Sequence, residues 1–464
     1  RQRQMCIRDS RLSYGTSGSD NISSNLWRET WSSLGSGSNH TPINGELGSF
    51  YRPDGLLANS KLKWETTISR NFGIDFGFLN NRVNGSLEVY WNTTKDLLMA
   101  VPVDNTTGYS YQFQNFGKTS NRGIELSVNV DVINKGDFRF NVGAIYNYNR
   151  NKLDELPNAD QYLYSSYWGS SSLVPTNDYM FVEGKAIGLV RGFISEGYYT
   201  VDDFNYTNGQ YVLKEGVPDI TKALTATYMH PYDLPAGQTA FPGAAKFRDV
   251  DESGTVDLDD ATCLGEVMPR HTGSFQLNFN YKNFDFSTNF NWTAGGKVYN
   301  VAAMINASGQ EFDGIGAQRA SWVADAFKVY NVNAAGDLYA VTNPDELRAL
   351  NANAKYHLPY HQSGITSSEW LENGSYLRLQ TLTLGYTLPK NWLTKVHVDK
   401  IRLYLTATNL FTITGYSGID PEVNANPTGQ SGFYSDLRIF PTLNMDFGTY
   451  PRARTFTFGA NITF

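Results

Sequence analysis

The last ten residues of the chain alternate between apolar and small or polar side chains. Phe456, Phe458, Ala460, Ile462 and Phe464 occupy the even positions, and threonine, glycine or asparagine occupies the odd positions. A period of two places all the apolar side chains on one face of a β-strand. A strand of this kind with an aromatic end is typical of the final strand of an outer-membrane β-barrel.

The same alternation recurs in long segments along the chain. Roughly eleven segments between Arg11 and Phe464 approach the ~10 residues that a tilted membrane strand needs. Lys282 and Asn283 separate two of them, which predicts a tight hairpin. An odd number of strands predicts part of a barrel. Clear members of the set are the segments 72–78, 83–91, 124–132, 138–148, 275–281, 284–292 and 401–407.

Composition favours strands over membrane helices. Mean hydropathy is −0.40, and no apolar run is long enough for a spanning helix. Short turns alternate with long connections, as on the two rims of an outer-membrane barrel. We therefore predict an all-β fold, a transmembrane antiparallel β-barrel with long extracellular loops. The predicted long stretches lie around residues 18–60, 152–185, 201–269, 296–368 and 414–450.

Charge and chemistry exclude several function classes. The net charge of −7 is unsuited to a nucleic-acid partner, because phosphate binding needs a concentrated basic surface. Cys6 and Cys263 are the two cysteines, and their separation suggests neither a disulfide framework nor a metal-type spacing. The six histidines are scattered, without a nucleophile motif. We predict that the chain is not an enzyme.

Four stretches resemble the SusC/RagA family of TonB-linked outer-membrane proteins. They are LKWETT at 62–67, NRGIELSV at 121–128, SYLRLQTLTLGYTLPKNWL at 375–393 and NLFTITGYSGIDPEV at 409–423. NTTKDLLM at 92–99, NFG at 115–117 and EGKAIGLVRGFISEGYY at 183–199 follow the order of the family. The resemblance covers nearly everything after residue 10.

The resemblance implies a transporter for large nutrients, usually oligosaccharides and sometimes peptides, in the outer membrane of Bacteroidetes-type bacteria. It implies a SusD-like surface lipoprotein as partner, and energy from the TonB–ExbB–ExbD complex. It also implies contact with membrane lipids and with the barrel-assembly machinery. Family barrels have 22 strands around an N-terminal plug that follows a TonB box. A plugged barrel of that size does not fit into 464 residues.

These expectations divide the chain in two. Residues 1–10 show no alternation, so we predict a non-native or unstructured tail. Residues 11–464 are predicted to form the C-terminal part of the barrel, with the plug domain and TonB box absent. A barrel must be exported and no signal peptide opens the chain, so we expect that the natural start is missing.

The loop DVDESGTVDLDD matches the ligand spacing of an EF-hand-type calcium loop. The spacing places oxygen ligands around one cation, and Gly254 suits the sharp turn. Aspartate replaces the usual final glutamate, and the preceding residues do not resemble a helix, so we expect an isolated structural calcium loop between strands. The alternative is an acidic turn whose side chains cap their own backbone. The predicted ligands are Asp249, Asp251, Ser253, Thr255 through its carbonyl, Asp257 and Asp260.

A second candidate site is the aromatic stretch ADQYLYSSYWGSSS. Tyr162, Tyr164, Tyr167 and Trp168 lie among small polar residues, and aromatic planes stack on sugar faces. The alternative, which the pattern favours, is that these rings pack within the loop or against the partner lipoprotein. Asn353, Tyr356, Tyr360 and Gln362 form a weaker cluster of the same kind.

Two further functions compete with import. One is a passive outer-membrane porin, which needs no plug and no energy coupling. The other is a secreted calcium-dependent carbohydrate-binding β-protein, which the terminal alternation disfavours. By family resemblance, Phe464 ends the signal that the barrel-assembly machinery recognises, together with Phe456 and Phe458. The alternative for Phe464 is a lipid-facing position, and the two roles are compatible.

Overall fold

The structure, a computed structural model, describes most of the chain. The described residues are 8–19, 26–33, 42–43, 46–47, 51–53, 56–109, 111–156, 161–165, 173–224, 230–308, 320–358, 364–393, 398–423 and 443–464.

Within these residues, ten long strands form one antiparallel sheet in which each strand pairs with the next along the chain. The count is ten rather than the predicted eleven. The strands are β1 (Arg8–Ser19), β2 (Glu65–Phe78), β3 (Val83–Lys95), β4 (Lys118–Lys135), β5 (Phe138–Glu155), β6 (His271–Tyr281), β7 (Phe284–Ala294), β8 (Tyr376–Thr387), β9 (Lys400–Thr414) and β10 (Thr455–Thr463).

The start of β1 corrects the predicted boundary at residue 10. Arg8, Asp9 and Ser10 pair with Phe76, Asp75 and Ile74 of β2, so the strand begins three residues earlier than expected. The sequence pattern missed them because alternation is weak there, whereas backbone pairing does not depend on side-chain polarity.

The register aligns the apolar side chains of neighbouring strands. Phe72 of β2 lies opposite Val89 of β3, which lies opposite Ile124 of β4 and then Tyr148 of β5. Apolar rows of this kind alternate along the strands with rows of polar and small residues, because successive side chains point to opposite faces. The sheet therefore has one apolar face and one polar face, as a membrane barrel wall requires.

The two rims of the sheet differ in their connections. On one rim β4 and β5 are joined by Gly136 and Asp137, and Gly136 has the positive φ of 57° that this tight turn needs. Lys282 and Asn283 join β6 to β7, as predicted. Residues 79–82 and 388–399 close the other two hairpins. On the opposite rim the connections span 20–64, 96–117, 156–270, 295–375 and 415–454, and the second of these was not predicted.

The long connections contain short elements of their own. The helices are α1 (Val301–Ser308), α2 (Ala320–Asp325) and α3 (Pro344–Leu350), and α4 (Lys390–Leu393) lies on the short rim. In the described part of the chain, no helix has the length and apolar character to cross a membrane. The 3₁₀ turns are Asn105–Thr107, Val201–Asp203, Leu258–Asp260 and Ser368–Trp370.

Short strand pairs tie these connections together. The first half of the chain contains Trp31–Ser33, Pro42–Ile43, Glu46–Leu47, Tyr51–Pro53, Leu56–Leu57, Leu98–Pro102, Tyr111–Asn115, Gln161–Tyr164, Leu173–Val174, Tyr179–Val182, Leu189–Gly192, Ser195–Tyr198, Phe204–Thr207, Gln210–Leu213 and Asp219–Ile220. The second half contains Ala245–Phe247, Thr255–Val256, Thr262–Glu266, Lys297–Asn300, Tyr330–Val332, Leu338–Ala340, Gly364–Ile365, Leu371–Asn373 and Met445–Asp446.

The main buried cores lie in the long connections rather than on the apolar face of the sheet. One core includes Tyr179, Tyr299, Trp322 and Met445, and a second includes Phe193, Val256 and Phe327. Side chains on the apolar sheet face, such as Phe72 and Ile124, are exposed. This distribution follows from a barrel whose outer face meets lipid while its loops must exclude water from their own apolar residues.

Candidate functional sites

The predicted calcium loop lies between two short strands, as expected. Ala245–Phe247 precedes it, and Thr262–Glu266 follows a 3₁₀ turn at Leu258–Asp260. Asp249, Asp251 and Asp260 come together, with one carboxylate oxygen of each lying within 4.8 Å of the others. Gly254 has a φ of 86°, a left-handed conformation that favours glycine, at the expected sharp turn.

Backbone amides of the loop orient these carboxylates. Asp249 accepts hydrogen bonds from the amides of Ser253 (3.1 Å) and Gly254 (2.7 Å). Asp260 is fully buried and accepts from the amides of Val250 (2.6 Å) and Asp257 (2.8 Å). These contacts are compatible with a cation loop and with the self-capped acidic turn, because carboxylates point inward in both.

The other predicted ligands, Ser253, Thr255 and Asp257, take part in hydrogen bonds within the loop. Ser253 donates its hydroxyl to the Thr255 carbonyl oxygen at 3.0 Å, so both predicted oxygens lie side by side. Asp257 accepts from the amide of Asp259 at 2.8 Å. Hydrogen bonds from Ser253 lower the pKa of the exposed Asp251 carboxyl, which therefore stays charged in moderately acidic solution.

The acidic loop is anchored to the second core. The Asp219 amide donates to the Gly254 carbonyl at 3.1 Å, and the Thr221 amide donates to the Val256 carbonyl at 3.1 Å. Val256 is fully buried in that core. A cation held by the loop would thus stabilise a segment that is already part of the packed extracellular region.

The structure buries the two described members of the predicted aromatic cluster, Tyr162 and Tyr164, to different extents. Tyr164 is 4% exposed, and its ring stacks on Phe181 with 4.7 Å between centroids. Tyr162 is half-buried against the same core. Both rings therefore follow the packing alternative rather than forming an open sugar platform. Tyr167 and Trp168 lie outside the described residues.

The weaker cluster behaves in a similar way. Tyr356 stacks on Trp322, with 3.9 Å between ring centroids and 17° between their planes. Tyr360 and Gln362 lie outside the described residues. The ring face of Tyr356 is therefore occupied by a tryptophan of the first core.

The terminal strand has the predicted alternation. Phe456 and Phe458 face outward beside Ala407 and Leu405 of β9, and both are largely exposed. Phe464 is 86% exposed at the short rim. These side chains are accessible to lipid and to another protein, so the geometry accommodates both expected roles.

The polar face of the sheet carries ion pairs that sequence reasoning missed. Arg402 of β9 donates to both carboxylate oxygens of Asp285 of β7, at 2.9 and 2.5 Å. Arg11 of β1 pairs with Asp75 and Glu88. For Arg402 and Asp285 the available signal was a charged residue between two apolar ones, because such a residue must face the polar side of the wall.

The long connections also bury a histidine beside a glutamate, His357 and Glu369. His357 Nε2 lies 3.8 Å from Glu369 Oε2, and His357 Nδ1 lies 2.7 Å from the Leu358 carbonyl oxygen. Burial raises the pKa of Glu369 to about 7 and lowers the pKa of His357 to about 4. At neutral pH the imidazole is therefore uncharged, and the carboxyl is about half protonated.

Comparison with known proteins places these features in context. A family model described as TonB dependent receptor-like, beta-barrel, matches residues 11–410. TonB-dependent receptor P3 of Formosa agariphila is 30% identical over 455 residues, which are 98% of this chain and 39% of that protein. TonB-dependent receptor SusC of Bacteroides thetaiotaomicron is 27% identical, over 88% of this chain and 32% of that protein.

Similar solved structures agree with the fold. The structure of the RagAB peptide transporter has a TM-score of 0.65 and 21% identity, and covers 98% of this chain and 41% of that chain. At this identity the likeness concerns the fold. The chain thus spans 39% of P3, 32% of SusC and 41% of the matching RagAB chain.

Proposed function

Because the chain belongs to the TonB-dependent receptor β-barrel family, whose SusC-like and RagA-like members are outer-membrane barrels, we propose that it serves energised import of large nutrients. The family consists of receptors and transporters, so its activity is transport rather than catalysis. An outer-membrane location excludes the secreted carbohydrate-binding alternative considered from the sequence. The described part of the chain supplies ten strands of the proposed transporter wall.

The single observation that carries this proposal is the two-faced, ten-stranded sheet with its unequal rims. An apolar outer face suits lipid, and a polar inner face suits a water-filled passage. The long connections form a packed region at one rim, where a large solute would first be met. Energy would come from the TonB–ExbB–ExbD complex, acting through the plug domain and TonB box of the family architecture.

We propose oligosaccharides as the nutrient class and a SusD-like surface lipoprotein as partner. Trp31, in the connection after β1, is more than half exposed and offers a ring face for sugar stacking. Trp27 is equally exposed, with the Arg28 guanidinium 5.8 Å from its ring centroid. The hairpin that contains Tyr330, Val332 and Leu338 exposes apolar side chains, which is a reason to expect a protein partner at this rim. Peptides are the competing substrate class.

We further propose that the loop with Asp249, Asp251 and Asp260 holds a structural calcium ion. Ser253, Thr255 and Asp257 would complete an oxygen shell, which is the ligand set that calcium prefers. The supporting observation is the convergence of three carboxylates within 4.8 Å. The ion would stiffen the extracellular region and would take no part in chemistry.

Uptake by cells that carry the full-length protein tests the import proposal. A strain lacking the gene is complemented with the wild type, and accumulation of fluorescent oligosaccharides and peptides of matched size is measured with and without a protonophore. We expect oligosaccharide uptake that stops when the protonophore is added, and a surface lipoprotein that co-purifies with the barrel.

Each other outcome has a defined meaning. Uptake that persists without proton-motive force would identify a passive porin. Energised uptake of peptides alone would replace the oligosaccharide assignment while leaving energised import intact. The absence of both would refute import. A complementing strain that carries an unrelated TonB-dependent receptor controls for general membrane leakage.

A further inference from the structure

We propose that the outer surface of the barrel binds the phosphate groups of an outer-leaflet lipid through a row of arginines. Arg70 of β2, Trp91 of β3, Arg122 of β4 and Arg150 of β5 occupy one row across four adjacent strands, because Arg122 pairs with both Trp91 and Arg150, and the β2–β3 register aligns Arg70 with Trp91. Tyr14 of β1 extends the row beyond Arg70.

The arginines lie on the lipid-facing side of the sheet. Each is two residues from a member of the apolar row formed by Phe72, Ile124 and Tyr148, and residues two apart in a strand share a face. Arg70 extends over this face toward Thr93, with 3.4 Å between its Nη1 and Thr93 Oγ1.

Their height matches the edge of a membrane. In β5 the outward positions run from Phe138 at the short rim to Tyr148, and Arg150 follows. This distance of about ten residues is the length of a tilted strand that crosses the hydrocarbon core. The row therefore begins where the apolar band ends, on the side of the long connections, at the headgroups of the outer leaflet.

The loop cores leave this face uncovered near Arg150. The alternate residues of β5 point inward. Leu153 is buried in the first core, and Asn151 accepts a hydrogen bond from the Ile187 amide at 2.7 Å. Arg150 is exposed, and Lys152 follows on the same face with its side chain 44% exposed.

The arginines of this row lack acidic partners. In the described part of the chain, Arg70, Arg122 and Arg150 form no ion pair with a carboxylate. Other arginines of the sheet do pair with carboxylates. Examples are Arg11 of β1, Arg378 of β8 and Arg402 of β9, each within 3.0 Å of a carboxylate oxygen.

The lysines above the row are partly neutralised. Lys118 pairs with Glu155 at 2.8 Å, and Lys152 lies 3.5 Å from Asp154. The concentration of uncompensated positive charge is therefore at the arginine row itself, in a chain whose net charge is −7. Such a charge at the edge of an apolar band needs an anion from outside the chain.

Guanidinium groups suit phosphate oxygens because their planar fork donates two parallel hydrogen bonds. Arg122 and Arg150 lie on neighbouring strands, about 4.8 Å apart in the pairing direction, which brings two forks to one phosphate. The acyl chains of the same lipid would lie on the rows of Phe72 and Ile124. Because the apolar rows lie directly beside the arginine row, the surface suits a phosphorylated lipid better than free phosphate. The proposal does not depend on which nutrient is imported.

Native mass spectrometry of the full-length protein in zwitterionic nanodiscs tests the proposal, with bisphosphorylated lipid A and its dephosphorylated form as probes. The wild type should bind the phosphorylated probe at least about tenfold more tightly than the dephosphorylated one. The triple variant R70Q/R122Q/R150Q should lose about tenfold or more in affinity. Single variants R122Q and R150Q should each lose a smaller part, which keeps the test available if the triple variant does not assemble.

Arg139→Gln is the matched control, because it removes the same charge from the polar face near the short rim. It should bind like the wild type. Equal affinity of the triple variant and the wild type, or of the two probes, would overturn the proposal. Displacement of the lipid by equimolar inorganic phosphate would reassign the row to free phosphate. Heat-modifiable migration confirms that each variant is folded.

Discussion

Arg378 of β8 and Asp420 of the connection after β9 form a buried ion pair, with 2.5 Å between Nη2 and Oδ1. The same guanidinium donates to Thr412 of β9 (3.0 Å) and to Glu422 (3.0 Å). One side chain of the wall therefore anchors the loop that leaves the neighbouring strand. Removing one partner of a buried arginine is costly, because its charge is then less well compensated.

Asp420→Asn should destabilise this loop by about 1–3 kcal/mol, because the buried Arg378 loses its nearest counter-charge and keeps only Glu422. The measurement is the rate of proteolysis within residues 415–423 in the full-length protein. Asp325→Asn is the matched control, since it breaks the exposed pair with Lys355 and should leave proteolysis within residues 415–423 close to the wild-type rate. Equal protease resistance in the two variants would contradict the anchor.

Gly385→Ala should destabilise the wall by about 1–3 kcal/mol through crowding. A Cβ at this position would lie 2.5 Å from both Asp285 carboxylate oxygens and 2.6 Å from Arg402 Nη2. Gly385 thus leaves the space through which the β7–β9 ion pair crosses β8. The temperature of the heat-modifiable transition measures the effect. Gly15→Ala, in open space on β1, should leave that temperature unchanged.

Glu369 and His357 should give opposite pH dependences when separated. In His357→Gln, Glu369 is the remaining titratable group of the pair, with a pKa of about 7 in the folded protein. Its contribution to the free energy of unfolding is fully present below pH 4.5 and is lost as the pH rises through 7. In Glu369→Gln, His357 is the remaining titratable group of the pair, with a pKa of about 4 in the folded protein. Its contribution to the free energy of unfolding is fully present above pH 6.5 and is lost as the pH falls through 4.

In the wild type these two effects offset each other between pH 4.5 and 6.5. For one proton, the free energy of unfolding changes by at most about 1.4 kcal/mol per pH unit. Limited proteolysis of the full-length protein across this range measures the effect. Slopes of the same sign in the two variants would show that burial does not shift the two pKa values in opposite directions.

Asp251→Ala should weaken calcium binding by about tenfold or more, because it removes one carboxylate ligand. Its effect on the empty loop should be small, since the Asp251 side chain is exposed and accepts from the Ser253 amide, whereas Asp260 holds the loop together. Asp259→Asn, outside the ligand frame, is the control.

The pH dependence of that binding follows from the carboxylates. Hydrogen bonds lower the pKa of Asp251, so calcium affinity should be constant at neutral pH and should fall only as the solution becomes acidic enough to protonate the ligands. Calorimetric titration measures both effects. Calcium affinity that is equal in D251A and the wild type would exclude the site.

Phe464→Ala should lower the amount of assembled barrel without changing its stability once assembled. The ring is 86% exposed, so its removal creates no cavity in the chain itself. The ratio of heat-modifiable to unfolded protein in membranes measures assembly. Trp392→Ala, an exposed aromatic substitution also near the short rim, should leave that ratio unaltered.

The sequence by itself determined the type of fold, because lipid imposes a period of two that local patterns record directly. The terminal strand with Phe456 and Phe458, the Lys282–Asn283 turn and the proximity of Asp249, Asp251 and Asp260 are local features that the structure contains. The calcium-binding and assembly-signal roles of these residues stay predictions. The same locality explains the error at Arg8, whose place in β1 depends on pairing with distant Phe76.

Only the tertiary structure decided which distant residues meet. The polar pairs Arg378–Asp420 and Arg402–Asp285, the burial of Tyr164 and the His357–Glu369 contact join segments that are far apart in sequence. The arginine row of Arg70, Arg122 and Arg150 likewise requires the register of four strands. Alternation assigns a side chain to a face, but its neighbours on that face are set by strand register and loop packing.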